Sequence, residues 1–130
     1  MTKVTRFYTG PDNKTHFEDL EIPQMEQVRN GTRSDPFSVT GMLMRESNGD
    51  AHFLEMHPAP RRQLILCLAG EVEIETTLGE KRLFRPGDIY FADDLTGEGH
   101  THREISGPVK HAWVFLPEDF DPRQWGSKAG

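Results

Sequence analysis

The chain has 130 residues, of which 35% are hydrophobic and 28% charged, with a formal net charge of −6. That length suits one ordinary domain and a core that needs no staples. An acidic balance without any basic tract argues against nucleic acid or an anionic membrane as partner, because both require clustered Lys and Arg.

One cysteine, Cys67, leaves no intrachain disulfide and no all-thiolate zinc site. The opening residues Met1-Thr2-Lys3-Val4-Thr5-Arg6 lack the apolar stretch of a signal peptide. The longest apolar run, Leu64 to Ala69, is far short of a membrane span. A cytoplasmic protein is expected. The modest apolar content predicts a thin core, and a homodimer is expected to add to the buried apolar area.

Twelve Gly and nine Pro cut the sequence into short apolar segments, which predicts strands rather than long helices. Arg6 to Thr9 reads as a strand, Gly10 to Lys14 as a turn, and His16 to Ile22 as a returning strand. Met25 to Ser34 is polar and reads as a loop or a single helical turn. Phe37 to Arg45 is a predicted strand. Ser47-Asn48-Gly49-Asp50 is a hairpin turn signal, with His52 to His57 as the partner strand. Gln63 to Leu68 is the most apolar strand. Glu71-Val72-Glu73-Ile74-Glu75 alternates with period two, which predicts one wet and one buried face. Thr77 to Glu80 turns the chain into a short strand, Lys81 to Phe84. A tight turn at Arg85-Pro86-Gly87-Asp88 precedes Ile89 to Phe91. A polar loop, Ala92 to Gly99, leads into His100 to Ile105. Gly107-Pro108 turns again before the last strand, His111 to Leu116. A tail follows, in which Trp125 is expected to pack on the rest of the chain or on a partner.

Residues 57 to 105 resemble the cupin superfamily. The first cupin motif places two histidines one residue apart, then a glutamate and a glycine. His57 stands at the first histidine, Ala59 at the second, Gln63 at the glutamate and Gly70 at the glycine. The second motif is met by Pro86-Gly87-Asp88 and by Gly97-Glu98-Gly99-His100. Its loop is two residues longer here, its proline is missing and Glu104 replaces its terminal asparagine. The segments Pro58 to Gln63 and Asp94 to His100 are similar to those of small, single-domain bacterial cupins. The resemblance implies an all-β, double-stranded β-helix (jelly-roll) barrel with one domain over 1–130. Its core would be about 37–116, with N-terminal strands 1–36 and a tail 117–130 packed on it.

A strand turns residues i and i+2 to one face. If the segment is extended, His57, Ala59, Arg61 and Gln63 share a face, continued by Ile65 and Cys67. His100, His102 and Glu104 share another. In cupins these faces look into the barrel. The resemblance therefore implies a site with His57, Gln63, His100 and His102 as metal ligands. His57 and His100 are then candidate catalytic residues. Arg61 is placed to hold a carboxylate through two parallel hydrogen bonds, and Tyr90 and Trp113 are candidate cavity wall. The metal would be Fe, Mn, Ni or Zn, since imidazole suits all of these. A neutral ligand set would favour an anionic substrate.

Each residue also has a plainer reading. His57 can simply end a strand before Pro58, and His102 can be a partly exposed strand residue. Gln63 can bond a buried backbone group. Arg61 and Arg62 can form surface ion pairs, and Glu104 can pair with Arg103 or Lys110. Tyr90 and Trp113 can be core. His111 has a weaker claim to the cavity, His16 and His52 read as surface residues, and Cys67 as a small buried apolar residue. Gly97-Glu98-Gly99 lacks the Lys-Ser/Thr and helix of a phosphate loop.

Three functions follow. The first is a metal-dependent oxygenase or isomerase acting on a small anionic metabolite. The second is a metal-free dehydratase, epimerase or lyase using His57 or His100 as acid and base. The third is a non-enzymatic barrel that binds a small molecule.

Overall fold

The computed structural model describes residues 2–126; residue 1 and residues 127–130, the end of the expected tail, lie outside it. Ten strands follow in order: β1 (Thr2–Thr9), β2 (Thr15–Ile22), β3 (Glu26–Val28), β4 (Gly31–Arg33), β5 (Gly41–Ser47), β6 (His52–His57), β7 (Gln63–Thr76), β8 (Lys81–Phe84), β9 (Ile89–Asp93) and β10 (His100–Phe115). A single 3-10 turn, Pro122–Trp125, comes after them. Eight strands form one mixed sheet, ordered β2-β1-β9-β7-β10-β5, with β6 added on β10 and β8 on β7. The expected all-β class holds, and the large sheet is compatible with a barrel or a sandwich. Among the described residues no helix is long and apolar enough to cross a membrane.

Two apolar clusters lie on opposite faces of this sheet, which explains the unbroken apolar run in β7. Ile65 and Cys67 join Phe7, Ala59, Val72, Ile74, Phe84, Tyr90, Ala92 and Val109 in one cluster. Leu64 faces the other way, toward Val4, Leu20, Ile22, Phe91, Leu116, Phe120 and Trp125. A strand buried on both faces loses alternation. The buried Trp125 meets Phe37, Phe91 and Phe120 edge-on, so the tail caps the second cluster. Arg62 fixes this cap. It grips Asp93 with two nitrogens, at 2.7 and 3.0 Å, and donates a third set of bonds to the carbonyls of Glu118 and Phe120.

Four expectations change. Residues 25–34 contain a small β3–β4 hairpin rather than a loop or helical turn. The strand expected from Phe37 begins only at Gly41. The two apolar segments on either side of Gly70 are one strand, β7, and those on either side of Gly107-Pro108 are one strand, β10. Register shifts between Glu104 and His111 absorb the irregularity that reads as a turn. Gly70 makes this possible. It adopts φ +78°, and a Cβ there would sit 2.7 Å from Val109 Cγ2 and 2.8 Å from the Pro108 carbonyl oxygen.

The fourth change concerns β5 and β6, which do not pair with each other. β5 lies along Val109 to Phe115 and β6 along His100 to Arg103, both on β10. The reason is Glu104. Its carboxylate accepts bonds from Ser47 Oγ (2.6 Å) and the Ala51 N–H (3.0 Å), and its own N–H donates to the Ala51 carbonyl (2.9 Å). The connecting turn closes on this buried acid instead of zipping up a hairpin.

Candidate functional site

The sheet register stacks side chains into rows around one cavity of about 350 Å³. Tyr90, Ile65 and Trp113 are in register across β9, β7 and β10. Phe7, Ala92 and Gln63 form the next row across β1, β9 and β7. On the other half of β10, His100 is in register with His57 of β6, and His102 with Phe53. These residues, with Arg45, Pro58, Ala59, Pro60 and Ile74, line the cavity.

Most of the expected site residues therefore meet. His57, Gln63, Tyr90, His100, His102 and Trp113 all face the cavity. Arg61 does not. The chain leaves β6 at His57, so the period-two reading fails over Pro58 to Arg62. Arg61 ends up exposed, with its guanidinium 4.5 Å from the centre of the Phe115 ring. Cys67 is buried beneath the wall, and its thiol is pushed up to about 12 by burial and by Asp88. His111 is buried but does not line the cavity. His16 pairs with Asp12 and His52 is exposed. Glu104 pairs with Arg45 (3.0 Å), not with Arg103 or Lys110.

The strongest polar feature is a contact the sequence reading missed. His100 Nδ1 donates to Asp94 Oδ2 at 2.6 Å. Thr15 Oγ1 donates to the same oxygen at 2.8 Å. Asp94 has no solvent exposure, and its other carboxylate oxygen has no partner among the described residues. Phe7 lies edge-on to the His100 ring at 4.8 Å. A buried carboxylate on Nδ1 fixes both the tautomer and the plane of the ring, and leaves Nε2 for a ligand. His57 is arranged alike: Nδ1 donates to the Glu55 carbonyl at 3.0 Å. The two rings are 4.9 Å apart, centre to centre. The signal for Asp94 was period two: it follows Tyr90 and Ala92, which line the cavity, and stands one residue past the end of β9.

Gly99 holds this pair together. At φ +81°, its missing Cβ would lie 2.1 Å from the His57 carbonyl carbon. The glycine lets the backbone before His100 pass directly against that of His57. Gly99→Ala is expected to cost at least about 2 kcal/mol, because strain at positive φ adds to a backbone clash. Urea unfolding measures this loss, and an unchanged midpoint would contradict the close approach.

His102 is chemically different from its neighbours. Burial first, then the nearby Arg45 charge, pull its pKa down to about 4, so it stays neutral near pH 7. Its ring packs 5.6 Å from that of Phe53. Burial also raises the Tyr90 hydroxyl well above the usual range, which keeps it protonated.

A metal centre would require converging donors. Among the described residues, no three His, Cys, Asp or Glu side chains form a group disposed to hold a metal ion. Ala59 and Gln63 withhold a histidine and a carboxylate. The β6–β10 register also shifts between His100 and His102. The donor set does not fit the expected ion. No protein-family model matches the chain, and no curated protein matches it either.

Proposed function

We propose that this cavity is a metal-independent acid–base site for a small molecule, carried by a cupin-type chain. The cupin assignment is supported by the motif residues His57, Gly70, Pro86-Gly87-Asp88 and Gly97-x-x-His100, and by the cavity onto which both motif histidines face. The acid–base assignment is carried by one observation, the 2.6 Å contact between buried Asp94 and His100 Nδ1.

His100 Nε2 takes a proton from a bound substrate, and the Asp94 carboxylate offsets the charge the ring acquires. The ring then returns that proton from the same Nε2 at a second position, while His57 Nε2, left as an acceptor by the Nδ1–H bond to the Glu55 carbonyl, holds a substrate O–H in place. Removing a proton at carbon and returning one elsewhere, or on the opposite face, is the common core of dehydratase, lyase and epimerase chemistry.

The test needs no known product. Protein dialysed against a chelator is incubated in D₂O with a panel of small carbon acids, and deuterium incorporation is followed by NMR. Exchange is expected to persist without metal and to fall about 10²- to 10⁴-fold in His100→Gln. Exchange that returns only on supply of Fe, Mn, Ni or Zn would overturn the proposal in favour of the metal-dependent reading. A ligand bound but never exchanged would favour a binding protein.

A further inference from the structure

Among the described residues the cavity wall carries one permanent charge: its lining includes no Asp or Glu, and Arg45 is its sole Lys or Arg. Apart from the three histidines and Gln63, the remaining lining side chains are apolar or aromatic. Arg45 is oriented by Glu104, which lies behind the wall: Arg45 Nη1 donates to Glu104 Oε2 at 3.0 Å. The other Glu104 oxygen is taken by Ser47 and Ala51. The pair is therefore a fixed dipole whose positive end reaches the cavity. Among the described residues one guanidinium N–H is spent, on Glu104, which leaves four of the five for a ligand.

A second donor lies close by. Arg45 is in register with His111 across β5 and β10, and Trp113 is two residues further along β10. Residues two apart share a face, so Trp113 lies on the strand face that carries His111. The Trp113 Nε1–H is buried and has no partner among the described residues. A buried donor left unpaired costs free energy that an acceptor on a ligand would recover.

We propose that Arg45 is the anion anchor of the cavity and that its ligand is an aromatic or conjugated monocarboxylate, seated with the carboxylate on the Arg45 guanidinium and its flat body between Phe7, Phe53, Tyr90 and Trp113. The fixed dipole selects the anion, and a volume of about 350 Å³ admits only a small body. A second anionic group would find no further cation on the wall among the described residues, which disfavours dicarboxylates and phosphates. This inference rests on the reading of the cavity as a small-molecule site, but not on its acid–base chemistry.

Calorimetric titration with benzoate, cinnamate and phenylpyruvate, each against its neutral primary amide, tests it. At least one carboxylate is expected to bind about tenfold or more tightly than its amide. The preference should vanish in Arg45→Met/Glu104→Gln, which removes both charges and so leaves no buried acid unpaired. Arg45→Lys keeps the charge and is expected to retain part of the preference, whether or not the double variant folds. His100→Gln should leave the preference intact, which separates this proposal from the catalytic one. Equal affinity for acid and amide, no carboxylate binding to folded protein, or a preference that survives the loss of Arg45 would each overturn it.

Discussion

Replacing Asp94 by asparagine is expected to slow proton transfer in the cavity by about 10³- to 10⁴-fold, the scale seen when the carboxylate behind a catalytic imidazole loses its charge. An amide can donate to His100 Nδ1 as readily as accept from it, so the ring is free to take the wrong tautomer. Asp94 acts through His100 and is a positioning residue. The diagnostic readout is therefore the tautomer, measured by ¹⁵N NMR of the imidazoles: Nδ1–H in the wild type, mixed or inverted in Asp94→Asn. Thr15→Val is the control. It removes only the 2.8 Å hydroxyl bond to the same oxygen. It should cost about 1 kcal/mol of stability and less than about tenfold in rate. Equal losses in the two variants would mean that Asp94 serves only to support the fold.

Acid is expected to destabilise the protein in two successive steps. The first belongs to His102, whose folded pKa of about 4 lies below its ordinary 6.5 because of burial and Arg45. Between those values the unfolded chain binds a proton that the folded chain refuses. Stability is thus fully present above pH 6.5 and falls as pH drops toward 4, by about 2–3 kcal/mol. His111 is lowered as well, chiefly by burial, and adds in the same direction. The second step belongs to Glu104. Burial pushes its carboxyl up, but the bonds from Ser47, Ala51 and Arg45 outweigh this and hold it at about 2, below the ordinary 4.5. That stability is present above pH 4.5 and is lost as pH falls toward 2. Urea unfolding across pH 7 to 2 should show both steps. His102→Phe should shrink the first to the part His111 contributes and leave the second. A first step that is unchanged in His102→Phe would contradict the burial of this ring.

The strands and the motif histidines were legible in the sequence because period-two alternation and Gly-Pro punctuation report local structure directly. β6 and β8 begin and end where the pattern places them, and His57, Gln63, Tyr90, His100, His102 and Trp113 line one cavity. What was not legible depended on long-range pairing. The Asn48-Gly49 signal marks a turn correctly, yet nothing local says that Glu104, over fifty residues later, will capture that turn and part β5 from β6. Arg61 and Arg45 illustrate the same limit. Arg61 sits beside the motif but in a segment that leaves the sheet, whereas Arg45 reaches the cavity only through β5 lying on β10. Asp94 was closest to being read. It continues the Tyr90-Ala92 face, but two adjacent acids followed by Gly-rich sequence look like a solvated loop. Asp93 is buried against Arg6 and Arg62, and Asp94 against His100.

The central claim is that His100 is an oriented base rather than a metal ligand, and the imidazole ¹⁵N spectrum of chelator-treated protein tests it most directly. His100, assigned through His100→Gln, is expected to show a fixed Nδ1–H tautomer near neutral pH. Stoichiometric zinc or manganese should leave the His57, His100 and His102 signals in place. Concerted shifts or broadening of all three at one equivalent of metal would contradict the account and restore the metal centre.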